Sequence, residues 1–195
     1  MSPRTAVFFD LHGTLGDVEG EIDGDFPDFT WYANAAEAIR LVNEAGLPAI
    51  VVTNQGHIAH GRFTLEQFWT RMQDLERELA GHGARFDAVY CCPHSHVDGC
   101  DCYKPRTALV DEACRDFDID LVRSYVVGDR GDFDMMLAAA IGARAVLVRT
   151  GYGEGSLGEF RYTWADVEAD YIAEDVLDAA GWIVGHASRF GDRAG

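Results

Sequence analysis

Short continuous apolar runs, rich in β-branched and aromatic residues, alternate along the chain with stretches in which apolar positions recur every three to four residues. Runs of the first kind lie at 5–9, 47–52, 88–91, 125–127 and 145–148, and each predicts a buried strand. Between the first two, Ala35, Ala38, Leu41, Val42 and Ala45 keep helical spacing, with Gly46 as a stop. Thr64 and Gln67 have capping-box spacing, and Leu65, Phe68, Met72, Leu75 and Leu79 then share one helical face. Further helices are expected over 107–117, carrying Leu109, Val110, Ala113 and Phe117, and over 133–141, ended by Gly142. Residues 171–173 predict a short edge strand, and 175–184 a closing helix. This alternation predicts an α/β fold, a mostly parallel sheet with helices on both faces.

Three segments escape the pattern. Residues 16–30 are polar with Gly, Pro and aromatics, too short for a folded cap, and are expected as a flap over the site. Residues 151–158 are glycine-rich and expected as a mobile loop, and 186–195 as a frayed tail. No internal repeat and no long linker divides the rest, so residues 1–185 are expected as one domain. A length of 195 residues suits that reading.

Composition narrows the partners. With 48% hydrophobic and 25% charged residues the chain is ordinary for a globular protein, whereas a net charge of −17 argues against nucleic acid or an anionic membrane. An anionic substrate would need a bound cation and a few placed basic groups. No segment approaches the roughly 18 apolar residues of a membrane span, and no signal-peptide pattern opens the chain. The expectation is a cytoplasmic protein, a monomer with a dimer left open, whose partner is a small molecule.

Candidate chemistry clusters after the predicted strands. Asp10 closes the first strand, in Phe8-Phe9-Asp10-Leu11-His12-Gly13-Thr14-Leu15, where a carboxylate can hold a cation or act as a nucleophile. Thr53 brings a hydroxyl after the second strand, and Asn54 and Gly56 bring backbone N–H groups suited to a phosphate oxygen. Lys104 could neutralise phosphate, with Pro105 expected to pre-organise a helix start. After the fourth strand, Asp129, Asp132 and Asp134 repel one another unless a divalent cation sits among them.

Asp10, Thr53, Lys104 and Asp129 with Asp134, in that order, resemble the four motifs of the haloacid dehalogenase (HAD) superfamily. The likeness spans roughly residues 5–150. It implies a single Rossmann-like HAD domain and phosphatase chemistry through an aspartyl-phosphate on Asp10. It also implies Mg²⁺ held by Asp10, the backbone carbonyl of His12, Asp129 and Asp134, with Asp132 as the alternative. Thr53 and Lys104 would hold the phosphoryl group, beside the N–H groups already noted at Asn54 and Gly56. His12 stands where the superfamily carries a second Asp, its general acid/base.

Five cysteines are present, four of them between Cys91 and Cys102. Cys92, His94, Cys100 and Cys102 have the composition and spacing of a Cys₃His zinc site, within a loop at 92–102. His96 is an alternative to His94, while Cys91 and Cys114 read as structural. That loop, together with Val52 to Thr64, is similar to the D-glycero-D-manno-heptose 1,7-bisphosphate phosphatases and to the phosphatase module of histidinol-phosphate phosphatases. Those are HAD members without a large cap. Tyr103 departs from the Arg usual before the Lys in the heptose enzymes, where it helps select substrate, and His57 and His60 alter the loop after Thr53. Two functions stay open. One is a Mg²⁺-dependent phosphatase of a small phosphorylated metabolite, a sugar bisphosphate or a histidinol-phosphate-like ester. The other is an impaired homologue that binds phosphorylated ligands or a protein partner. Phosphotransfer to another acceptor is a third course.

Overall fold

The computed structural model describes residues 3–19 and 24–191. Its centre is a six-stranded sheet built from β1 (Val7–Phe9), β4 (Ala49–Asn54), β5 (Ala88–Cys92), β6 (Tyr125–Gly128), β7 (Arg144–Val148) and β8 (Tyr171–Ala173). Two strands between the first and second of these, β2 (Gly16–Val18) and β3 (Phe29–Trp31), form a separate antiparallel hairpin. The main sheet runs β5-β4-β1-β6-β7-β8, with every pair parallel.

Strand alternation sorts the core into two layers. Val7 and Phe9, Ala49 and Val51, Val127, and Val146 and Val148 face one side. There they meet α1 (Ala35–Glu44), α3 (Leu65–Gly81) and α7 (Val176–Gly191). Phe8, Ile50, Val52, Val126 and Leu147 face the other, against α4 (Ala108–Asp116) and α5 (Met136–Ile141). Because both faces are covered, the strands can be apolar throughout. The predicted capping box is present: Gln67 N donates to Thr64 Oγ1 at 3.1 Å, and Thr64 N to Gln67 Oε1 at 2.8 Å.

The chain leaves β1 toward β4 and β5, then returns to the opposite side of β1 for β6. That reversal opens a crevice beyond the C-terminal ends of β1, β4 and β6, where open α/β sheets bind ligands.

Several expectations shift. The strand expected at 47–52 is Ala49–Asn54, because Pro48 has no N–H to pair, so Thr53 and Asn54 stay within the ladder. Pro105 does not start a helix: α4 begins at Ala108, behind Thr107. The helix expected from 133 is a π-turn, Gly131–Met135, before it becomes α5. Residues 151–158 are not a loose loop but hold α6 (Gly153–Leu157), pinned by the buried Ser156, whose carbonyl accepts from Trp164 Nε1 at 2.9 Å. Helix α7 runs to Gly191, through much of the expected tail, because Trp182 stacks on Tyr171 and His186, and Tyr125 Oη lies 2.7 Å from His186 Nδ1. Residues 192–195 lie outside the described residues. The segment expected as a polar flap docks by its aromatics: Phe26 and Phe29 are fully buried on α3 and its neighbours, and residues 20–23 lie outside the described residues.

Candidate active site

Asp10 follows β1 directly, and its N–H donates to Val127 O at 3.0 Å, carrying the β1–β6 ladder one residue beyond Phe9. Asp129 follows β6 in the same way. Asp134 arrives from the π-turn, whose widened ring turns it inward, while Asp132 faces Arg130 in a bidentate pair at 3.0 and 2.9 Å. Oxygens of Asp10, Asp129 and Asp134 lie within 4.8 Å of one another. Asp132 is not brought among them.

Lys104 joins the cluster from the far side. Its Nζ donates to Asp10 Oδ1 at 2.7 Å and to Asp134 Oδ1 at 2.6 Å. The Asn54 side chain places it, accepting from Lys104 N at 2.9 Å and donating to Lys104 O at 3.2 Å. Asn54, expected as a phosphate contact through its backbone, here holds Lys104 through its side chain.

Electrostatics set the character of the crevice. Burial raises the Asp129 carboxyl well above the usual carboxylate range, and the charges of Asp10 and Asp134 push it further. Burial likewise raises Asp134, to about 6, although Lys104 pulls it down. For Lys104, burial opposes the ammonium, but Asp10 and Asp134 outweigh it and hold its pKa above the ordinary lysine value. Three carboxylates therefore face one ammonium, and Asp129 Oδ1 is buried with no hydrogen-bond partner among the described residues. Such a set suits a hard divalent cation with oxygen ligands.

The backbone makes room for this crowding. Gly13 has φ 74°, and a Cβ there would collide with Asp129 Oδ2, as a Cβ on Gly128 would with the Asp134 carboxylate. Asp129 is anchored from beyond the motif: Tyr152 N donates to its Oδ2 at 2.7 Å, and Ser156 Oγ to its carbonyl at 2.8 Å.

His12 stands beside Asp10 with its ring edge-on to Phe26 and Phe29, centroids at 5.8 and 5.3 Å. Gln55 Nε2 approaches His12 Nδ1 at 3.5 Å. Asp10, His12, Gly13, Asp129 and Asp134 meet in one cavity of about 240 Å³, with Thr53, Asn54, Gln55, Tyr103, Lys104 and Tyr152 in its wall. Its outer rim carries His57, His60 and His96, and Arg130 lies over the Phe133 and Tyr152 rings at 4.5 and 4.8 Å.

Sequence reasoning missed Gln55, Phe26, Phe29, Tyr152 and Ser156. A buried amide two residues beyond Thr53 was a readable signal. The aromatic box and the Ser156 anchor join distant segments and left no local trace.

The second cluster lies on the loop leading to Lys104. Cys92 Sγ is 3.7 Å from both His94 Nδ1 and Cys100 Sγ, Cys102 Sγ is 3.0 Å from Cys92 Sγ and 3.5 Å from Cys100 Sγ, and His94 Nδ1 is 3.2 Å from Cys102 Sγ. These are five of the six edges of the tetrahedron that thiolates and an imidazole form around one ion, so this group could bind a metal such as zinc. His96 is exposed near Tyr103 instead, ring centroids 6.5 Å apart. Cys91 packs on the opposite face of the sheet from Cys92, where burial pushes its thiol up to about 12.

A carboxylate just past the tip of β1, a crevice at the sheet's reversal and an acidic cluster after β6 are the arrangement of a HAD-like hydrolase, and the HAD-hydrolase-like family model matches residues 101–179. The D-glycero-β-D-manno-heptose-1,7-bisphosphate 7-phosphatase of Yersinia pestis is 36% identical, over 82% of this chain and 88% of that one. The D-glycero-D-manno-heptose-1,7-bisphosphate 7-phosphatase of Thermosynechococcus vestitus is 35% identical, over 94% of this chain and 97% of that one. The crystal structure of D,D-heptose 1,7-bisphosphate phosphatase from B. bronchiseptica, complexed with magnesium and phosphate, superposes with a TM-score of 0.82. It is 26% identical, over 93% of this chain and 99% of that one. The chain belongs to the HAD-type phosphatases, in the family of the heptose bisphosphate phosphatases. Among the described residues, no helix is long and apolar enough to cross a membrane.

Proposed function

We propose that the chain hydrolyses phosphomonoesters of small phosphorylated sugars through an aspartyl-phosphate on Asp10. The carrying observation is Lys104 held between Asp10 and Asp134, beside Thr53 in the same cavity. The residues fit Mg²⁺, which Asp10, Asp129, Asp134 and the backbone carbonyl of His12 would hold. Bound there, it would neutralise phosphoryl charge and help align the ester for in-line attack.

The chain's own groups do the rest. Asp10 attacks phosphorus as the ester P–O bond breaks, and His12 gives a proton to the departing oxygen. Lys104 and Thr53 hold the non-bridging oxygens, with Asn54 keeping Lys104 in place. His12 then takes a proton from water, which attacks the acyl phosphate and releases orthophosphate, restoring Asp10. This favours turnover over mere binding, because a relic would have little use for a carboxylate and an ammonium so placed. A panel of sugar phosphates and aryl phosphates, assayed for phosphate release with Mg²⁺, tests it. Absence of release from every member would refute it.

The panel also tests selectivity. Tyr103 lines the cavity where the resemblance implies an Arg in the heptose enzymes, and Arg130 is occupied by Asp132 and two rings. A missing charge-assisted contact costs about 1.5–3 kcal/mol. Heptose 1,7-bisphosphate should therefore show no large advantage in kcat/KM over sugar monophosphates. An advantage well above all other panel members would contradict this.

The Cys₃His cluster we assign to structural zinc. Purified protein should carry about one zinc per molecule. Cys100→Ser should lose it and lower the melting temperature by about 5–10 °C. Phosphate affinity should fall severalfold as well, because Lys104 lies two residues beyond Cys102. A zinc-free native protein, or Cys100→Ser with unchanged stability, would refute the assignment.

A further inference from the structure

Gln55 is 3% exposed at the end of β4, and its N–H donates to Cys92 O at 2.8 Å. Its backbone leaves the extended strand there, at φ −121° and ψ 55°, to enter α2 (Gly56–Ala59). The side chain turns back toward the cavity. Its Nε2 donates to Thr53 Oγ1 at 2.9 Å and faces His12 Nδ1 at 3.5 Å. One amide nitrogen thus touches both a phosphoryl-binding group and the proton-transfer candidate.

Building on the role given above to Thr53, we propose that Gln55 is a positioning residue that directs the Thr53 hydroxyl hydrogen toward the phosphoryl group. A hydroxyl has one hydrogen and two lone pairs. With a lone pair of Thr53 Oγ1 occupied by the amide, its hydrogen is left to donate into the cavity that Thr53 lines. Gln55 touches no reacting atom itself and acts only through Thr53.

The experiment measures inorganic phosphate binding to the full-length, zinc-loaded protein in saturating Mg²⁺, for the wild type, Gln55→Met, Thr53→Val and the double variant. Gln55→Met should weaken phosphate five- to tenfold, and the double variant should bind no worse than Thr53→Val alone. A merely structural role would leave the two losses additive rather than coupled through Thr53. Gln55→Glu preserves shape should Met fail to fold; its carboxylate takes the Thr53 hydrogen, so binding should weaken at least as far. Unchanged phosphate affinity in the Gln55 variants, or additive losses in the double variant, would overturn the proposal. Phosphate binding that responds to Gln55 without hydrolysis of any ester would uphold it while refuting the proposed function.

Discussion

Asp10→Asn will remove turnover, by a factor of at least about 10⁴, and leave the protein folded. The amide matches the carboxylate in shape and can still accept from Lys104 Nζ, but it cannot form an acyl phosphate. Stability should not fall, because Lys104 keeps its 2.6 Å bond to Asp134. Removing Asp10's charge also relieves two neighbours, since that charge helps raise both Asp129 and Asp134. The three carboxylates are therefore arranged against local stability, as groups poised to act on a ligand often are. Phosphate release measured beside a melting curve checks both halves. Activity above about one per cent of wild type in a folded Asp10→Asn protein would remove Asp10 as nucleophile.

That arrangement explains which parts of the site could be read from the chain. Asp10, Thr53 and Asp129 each close an apolar run, and a strand end in a parallel sheet is where ligands bind, so position and chemistry coincided. Lys104 was readable from its order among the others rather than from its own surroundings. The choice between Asp132 and Asp134 was harder, because it depends on a π-turn, and regular 3.6-residue periodicity does not anticipate one. The widened turn turns Asp134 in and releases Asp132 to Arg130.

Long-range contacts account for the other differences. Residues 151–158 looked loose for their glycines, yet Ser156 accepts from Gly131 N and donates to Asp129 O, fastening α6 beneath the acidic cluster. Residues 16–30 looked polar because acidic positions outnumber the aromatics. Phe26 and Phe29 nonetheless decide their fate, since each is fully buried and Phe26 stacks near Phe68 at 4.5 Å. Arg71 adds two bonds to Phe29 O, at 3.2 and 2.6 Å. Hydrophobic burial outweighs the segment's average polarity.

Those same two rings bear on the largest departure from the resembled motif. His12 packs edge-on against Phe26 and Phe29 with Gln55 near Nδ1, so the imidazole is held on three sides beside Asp10. An imidazole can give and take a proton near neutral pH, so replacing a carboxylic acid by histidine need not end catalysis. Its contribution should depend on the leaving group. An alkoxide departs poorly without a proton, whereas an activated aryl oxide departs as an anion. His12→Ala should therefore lower kcat/KM for an alkyl phosphate by on the order of 10²–10⁴, and for an aryl phosphate by far less. The comparison belongs in kcat/KM, which covers steps through the first irreversible one, phosphoryl transfer to Asp10, and is blind to later hydrolysis of the intermediate. That later step also needs a base, so the variant should show a burst of aryl alcohol followed by slow turnover. Equal losses on both substrates, or none on either, would show that His12 is not the proton donor, and would leave it as packing for the aromatic box.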